Sequence, residues 1–321
     1  MEEALTLDFK NYIQFLLKVE QSVEDEKSMK LFSVKSELNY IEEEEYSSQP
    51  KKTSSKGLAQ SSSFINDSDR ERLVVSKSKT SQAMYFNCNI IHFGLSLHLH
   101  ESQLSSDPTI TILSSQFHTK LAVESEKGNY GSAYQDVINW NLHVDFFRTK
   151  VLLIPLNGAG HWTLGAVVNL DSLVTNNVSS LVTTSPKSCK FFLLDSLKPF
   201  HNAAVIGNQI KHYLLQVWLD SRNPRKYLVD ESDMRVAIGL MEVSFLPVAR
   251  QANDYDCGTH VCVSTKTICE AYKNSRNSAA AFDIGTLDFQ ITPAHVHAQR
   301  QYLIQQIDRI KAENREVVDL T

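Results

Sequence analysis

Four side chains carry the chemistry open to this sequence. Cys257 stands in QANDYDCGTHVCV, with Gln251 six residues ahead of it and Gly258 directly after. His161 opens HWTLGAVVNL, and Asp195 follows the apolar run of KFFLLDSL. An imidazole beside a thiol takes its proton and leaves a thiolate–imidazolium pair. A carboxylate on the other ring nitrogen fixes the tautomer and the ring's orientation. The oxyanion of acyl transfer needs fixed donors, and a Gln side chain with the Cys backbone N–H supplies two. Gly258 lets the backbone pass close to a substrate. Together the four fit a thiol protease. Singly, each has a plainer reading: a structural His, a turn Asp, an inert core thiol, half of a disulfide or a metal ligand. The metal reading is the weakest, because the Cys and His residues lack tight ligand pairs. No cofactor is implied.

These residues fall at the ends of expected elements, where polar side chains face clefts more often than cores. KVLLIPLN reads as a buried strand and GAG as the turn after it. HWTLGAVVNL is the next strand, CKFFLLDSL a third and MEVSFLPV a fourth. Cys257 begins a helix, and Cys262 and Cys269 lie seven residues apart on its apolar side, as core thiols do. Helical spacing also marks Leu5, Phe9, Ile13 and Leu16, then Ile90, Ile91, Leu95 and Leu99, then AVIGNQIKHYLLQVWL. A closing helix over 293–315 carries Val296, Leu303, Ile307 and Ile310. Helices, then strands, then helices without regular alternation predict an α+β fold, not a doubly wound sheet.

The bulk properties narrow the class. Hydrophobic residues make up 42% of 321, and the net charge is −5. Such a surface does not suit nucleic acid, whose phosphates need basic residues. Five cysteines in no pairing pattern predict a reducing compartment. The opening MEEALTLDFKNYIQFLL has no basic n-region, and runs such as VLLIPL are too short for a bilayer. A protein of the nucleus or cytoplasm, without a membrane partner, is expected. Residues 1–35 form an N-terminal helical segment. Residues 36–80, with EEEEYSSQPKKTSSKGLAQSSS, read as a low-complexity linker that cannot bury enough surface to order itself. The catalytic domain is expected over 81–312, and a tail over 313–321.

NGAGHWTLGAVVNL, KFFLLDSL and RQANDYDCGTHVC, in this order, resemble the ubiquitin-like-protein-specific cysteine proteases, the sentrin/SUMO protease family with its deneddylase relatives. YFNCNIIHFGLSLHL, ILSSQFHTKL and LDFQITPAHVHAQRQYLIQQI resemble flanking segments of that family, so the similarity covers roughly 84–310. The resemblance implies a papain-like cysteine protease fold, a central mixed sheet flanked by helices. It makes Cys257 the nucleophile, His161 the general base, Asp195 its orienter and Gln251 an oxyanion donor. Trp162 would wall a narrow tunnel over the substrate's terminal di-glycine, with Tyr85 as a second aromatic wall. Phe86, Asn87 and Gly258 would also meet the substrate. The family's Leu-Asn-Asp triplet reads Phe86-Asn87-Cys88 here, so a carboxylate is missing. Val317, Val318, Asp319 and Leu320 resemble a SUMO-interacting motif, a short strand that adds to a sheet edge. The implied function is a monomeric isopeptidase and endopeptidase that removes SUMO from its conjugates or matures its precursor. The alternatives are a deneddylase and a non-catalytic binder of SUMO with the same fold.

Overall fold

The computed structural model describes residues 65–125, 134–135, 137–141, 144–175, 188–197, 200–276 and 282–319. The helix expected within 1–35 and most of the expected linker lie outside them. Five strands form one sheet: β1 (Ile110–Ile112), β2 (Val151–Gly158), β3 (His161–Val168), β4 (Lys190–Leu194) and β5 (Glu242–Phe245), in that order across it. The β1/β2 and β4/β5 pairs are parallel and the two inner pairs antiparallel. Around the sheet lie α1 (Asp67–Leu73), α2 (Cys88–Glu101), α3 (Phe117–Ser125), α4 (Ala203–Leu219), α5 (Glu231–Gly239), α6 (Cys257–Ser275) and α7 (Pro293–Asp319). This is the mixed-sheet α+β architecture expected. The three-residue β1 was not, since so short a strand carries no readable period.

The sheet is buried on both faces, which is why its strands read as unbroken apolar runs. Val151, Leu153, Leu164, Ala166, Phe192 and Leu194 share one core with α2, α6 and α7. Leu152, Ile154, Leu156, Val167, Phe191 and Leu193 alternate with them and share the other core with α3, α4 and α5. A tight turn fixes the β2–β3 register. Ala159 and Gly160 both have positive φ, 48° and 72°, as a two-residue type I′ hairpin turn requires. Gly158 therefore pairs with His161, which becomes the first residue of β3.

Two segments depart from the sequence expectation. The linker foreseen over 36–80 gives way to folded chain by residue 65. Asn66 and Asp69 close a capping box at the start of α1, and Leu73 is fully buried. Arg70 grips Asp308 of α7 with two hydrogen bonds of 2.7 Å. Asp69, also buried, accepts from Asn87 and Asn89. At the other end, Val317, Val318 and Asp319 continue α7 as helix instead of forming an extended segment. KAENREVVD follows the closing helix without Pro or Gly, so nothing stops it. Leu320 lies outside the described residues.

Arg300 of α7 ties the segments around Cys257 together. Its side chain is fully buried, and Nε and Nη2 reach Asp256 Oδ1 at 2.9 and 2.8 Å. It also donates to the carbonyls of Arg72, Met84 and Tyr255. The guanidinium lies 4.6 Å from the Phe86 ring centroid and 5.4 Å from that of Tyr255. A guanidinium with five donors is the one side chain able to join four such acceptors in a desolvated site.

Two predictions follow from this packing. A chain starting at residue 81 loses Leu73, worth roughly 1.5–3 kcal/mol, and melts about 3–12 °C below one starting at residue 65. Equal melting of the two truncations would show that α1 is not part of the domain. Arg300→Met leaves Asp256 buried and unpaired, and urea denaturation should record a loss of about 3–5 kcal/mol. Adding Asp256→Asn should cost less than the two single losses combined, because the second change removes the stranded charge. Additive losses would dissolve the proposed pair.

Candidate active site

His161 and Asp195 meet because of strand register. β3 and β4 pair antiparallel through Leu164 and Leu194. Asp195 is the next residue beyond that pair, level with Thr163 and on the same side of the sheet as His161, two residues along. The carboxylate Oδ1 lies 2.7 Å from His161 Nε2, with both residues buried. Backbone N–H groups of Leu197 and Phe200 donate to Oδ1 and Oδ2 at 3.0 Å each. Burial alone would raise the pKa of this carboxyl. The hydrogen bond from His161 and the two N–H donors outweigh it and hold the group below the usual carboxylate range.

Cys257 is the first residue of α6, where N–H groups without intrahelical partners gather the positive end of the helix dipole. Its thiol is wholly shielded from solvent and sits close enough to His161 to favour the charged imidazole. Asp195 already holds Nε2, which leaves Nδ1 as the nitrogen for the thiol. Burial opposes a charged His161. The hydrogen bonds to Asp195 and to Cys257, with the charges of both, override it and push the imidazole up to about 9. The two neighbouring histidines go the other way. Burial takes His201 down to about 4, against the pull of nearby Asp195. It takes His260 down to about 4 as well, against that of Asp256. Of the three, only the ring with a direct carboxylate bond is pushed up, towards its charged form. The other two thiols of α6 behave as core residues. Cys262 and Cys269 are buried, and desolvation pushes each up to about 12.

Gln251 is held at the same end of the sheet. Its backbone N–H bonds the Ser196 carbonyl at 2.9 Å, directly after Asp195. The side-chain Oε1 accepts from Ser196 Oγ at 2.6 Å, and Nε2 donates to the Asn253 carbonyl at 2.6 Å. With the amide oriented this way, one Nε2 hydrogen remains to donate elsewhere. Asn253 in turn accepts from the N–H groups of Tyr255 and Asp256 and donates to Asp256 Oδ2. These bonds stiffen the loop between Gln251 and Cys257, and the Arg300–Asp256 pair fastens it to α7.

The residues expected to meet substrate divide. Trp162 lies beside His161 but inside the core, with its indole N–H donating to the Phe86 carbonyl at 2.7 Å. Tyr85 is half-buried against the same core. Phe86, fully buried under the Arg300 guanidinium, is a core residue and offers no surface to a substrate. Gly258 leaves room for Phe86: a Cβ at this position would stand 2.7 Å from the Phe86 Cβ. Asn87 caps α2, accepting from the Ile90 N–H while donating to Asp69. These three therefore hold the floor of the site in place. Asp69 also puts a buried carboxylate beside the triplet whose own Asp is replaced by Cys88.

Arg300, Asp256 and His201 were missed from the sequence. Arg300 carried a signal, since it occupies the apolar stripe Val296, Arg300, Leu303, Ile307 of a helix, where a lone cation needs a buried partner. His201 and Asp256 gave none, as both sit in polar loops.

Comparison with known proteins agrees with this geometry. Residues 84–314 match the model of the Ulp1 protease family, C-terminal catalytic domain. Ubiquitin-like-specific protease 2 of Saccharomyces cerevisiae is 24% identical over 217 residues, 62% of this chain and 19% of that protein. Sentrin-specific protease 2 of Pongo abelii is 25% identical over 185 residues, 56% of this chain and 24% of that protein. The chain thus spans less than a third of the length of these relatives. A crystal structure described as a de-sumoylating protease shares the fold with TM-score 0.56 and 20% identity, over 79% of this chain and 89% of that one. The match across most of the folded region, through every segment that builds the Cys257 site, places the chain in the Ulp1 protease family.

Proposed function

We propose that this protein is a thiol isopeptidase that cleaves after the C-terminal di-glycine of SUMO. The carrying observation is the Cys257–His161–Asp195 line: a thiol at a helix start, beside an imidazole that a buried carboxylate holds at 2.7 Å. The relatives named as sentrin-specific and ubiquitin-like-specific proteases support the choice of modifier.

In this reading Cys257 Sγ, as thiolate, attacks the carbonyl carbon of the terminal glycine. The carbonyl oxygen takes up the negative charge and is met by the Cys257 backbone N–H and the spare Nε2 hydrogen of Gln251. His161 gives its Nδ1 proton to the departing amine as the C–N bond breaks, leaving a thioester. Water then attacks the thioester, with His161 taking its proton, and the thiol is restored. Asp195 keeps its own charge throughout and stabilises the imidazolium. Because neighbours shield the thiol, a substrate end must part them. On the family resemblance, Trp162 and Tyr85 would wall the path of a chain end without side chains.

Cys257→Ser should abolish hydrolysis of a fluorogenic SUMO C-terminal amide while binding of SUMO persists. Residual turnover by that variant, or equal turnover of a neddylation-modifier amide by the native chain, would refute the thiol or the modifier respectively. Asp195→Asn should fold and cut kcat by about two to four orders of magnitude. The pH profile gives a second check. A His161 raised to about 9 stays protonated through neutral pH, so kcat/KM should fall as pH rises through about 9. Removing the carboxylate lowers this pKa, and the alkaline fall in Asp195→Asn should begin at lower pH. An unmoved alkaline limb would mean that Asp195 does not set the His161 charge.

A further inference from the structure

We propose that His161, Asp195 and His201 form a zinc site whose occupation stops the thiol chemistry. One ring nitrogen of each histidine and one carboxylate oxygen lie within 4.8 Å of one another. His161 Nε2 is 2.7 Å from Asp195 Oδ1, and His201 Nδ1 is 4.0 Å from Oδ2. The two imidazoles stack with centroids 5.8 Å apart and planes at 29°, so both edges turn to one carboxylate. A tetrahedral zinc ion with bonds of about 2.0–2.1 Å holds its donors about 3.4 Å apart. To reach this spacing the loosest separation closes by about 1.4 Å and the His161–Asp195 contact opens by about 0.7 Å, both within side-chain rotation. Two imidazoles and a carboxylate make a borderline-soft ligand set that suits zinc and leaves a fourth position for water.

The surroundings favour such a site. His161 opens β3, Asp195 directly follows β4 and His201 stands two residues ahead of α4. The Leu197 and Phe200 N–H groups already orient the carboxylate, as outer bonds orient metal ligands. Nothing in the thiol mechanism uses His201. Its Nδ1, the nitrogen that faces Asp195, lies 3.0 Å from Thr163 Oγ1, a bond the ion would replace. Sequence separation hides the group, since no two of its members form a ligand pair along the chain.

Binding replaces a proton and involves no electron transfer. Zinc takes the lone pair of His161 Nε2, and the proton that Asp195 held there passes to solvent. The imidazole bonded to the ion keeps its Nδ1 proton but is a much weaker acid than the imidazolium it replaces, so it no longer protonates the leaving amine effectively, and Asp195 no longer orients it. The inhibition rests on the protease reading; the binding does not.

Calorimetric titration of zinc into full-length Cys257→Ser, which lacks the competing thiol, tests the site directly. One ion should bind, at least ten-fold more weakly when His201→Phe is added, a change that keeps the ring volume. His201→Gln serves as a second ligand-free variant. Loss of binding through Cys257→Ser alone, or equal affinity with and without His201, overturns the site. In the chain with Cys257 intact, zinc should halt cleavage, a chelator should restore it, and His201→Phe should raise the inhibiting concentration at least ten-fold against its own zinc-free rate. Zinc bound without effect on cleavage overturns the inhibitory role. A chain that cleaves no modifier still answers the calorimetric question, so the two readings fail separately.

Discussion

A buried cation organises the floor beneath the nucleophile. Arg300 reaches Asp256, the residue before Cys257, together with carbonyls at Arg72, Met84 and Tyr255, and it covers the Phe86 ring. Desolvation works against its charge and lowers its pKa, and the Asp256 carboxylate offsets part of that cost. An ion pair of this kind adds little net stability, but losing one partner strands the other, so the arrangement is effectively obligatory. Phe86 then fixes two things at once. Its ring fills the space that Gly258 leaves empty, and its carbonyl holds the Trp162 indole. One interaction thus sets the start of α6 relative to β3, and with it the approach of Cys257 to His161.

Charge in the site follows from which groups are paired. Burial alone drives imidazoles towards neutrality, as His201 and His260 show. His161 escapes because β-sheet register delivers a carboxylate to Nε2 and the helix start delivers a thiol to the other side. The hairpin turn at Ala159 and Gly160 is part of the same chemistry, since it makes His161 the first residue of its strand. The chemistry proposed for Cys257 is thus built from backbone geometry at three element ends.

Much of this was legible in the sequence, for definite reasons. The runs VLLIPL and KFFLL announced strands buried on both faces, and their ends placed His161 and Asp195. The polar QANDYD ahead of Cys257 marked a loop feeding a helix. The resemblance then assigned roles that spacing alone left open. What escaped had weak or misleading local signals. β1 has three residues. α1 hides in a Ser- and Lys-rich neighbourhood, although Asn66 and Asp69 spell its capping box. Phe86, Asn87 and Gly258 sit in substrate-like motif positions, yet packing makes them floor, cap and spacer. The terminal Val317-Val318-Asp319 has the residue types of an edge strand, but a preceding helix without a stop signal carries through it.

The central claim is that Cys257, among five free cysteines, is the thiol that His161 and Asp195 activate. It is tested most directly by reacting the full chain with SUMO that carries a C-terminal electrophile and mapping the adduct by mass spectrometry. The account predicts a single adduct on Cys257, with the buried Cys189, Cys262 and Cys269 and the half-buried Cys88 unmodified. An adduct on Cys88, or none while the protein remains folded, would contradict it.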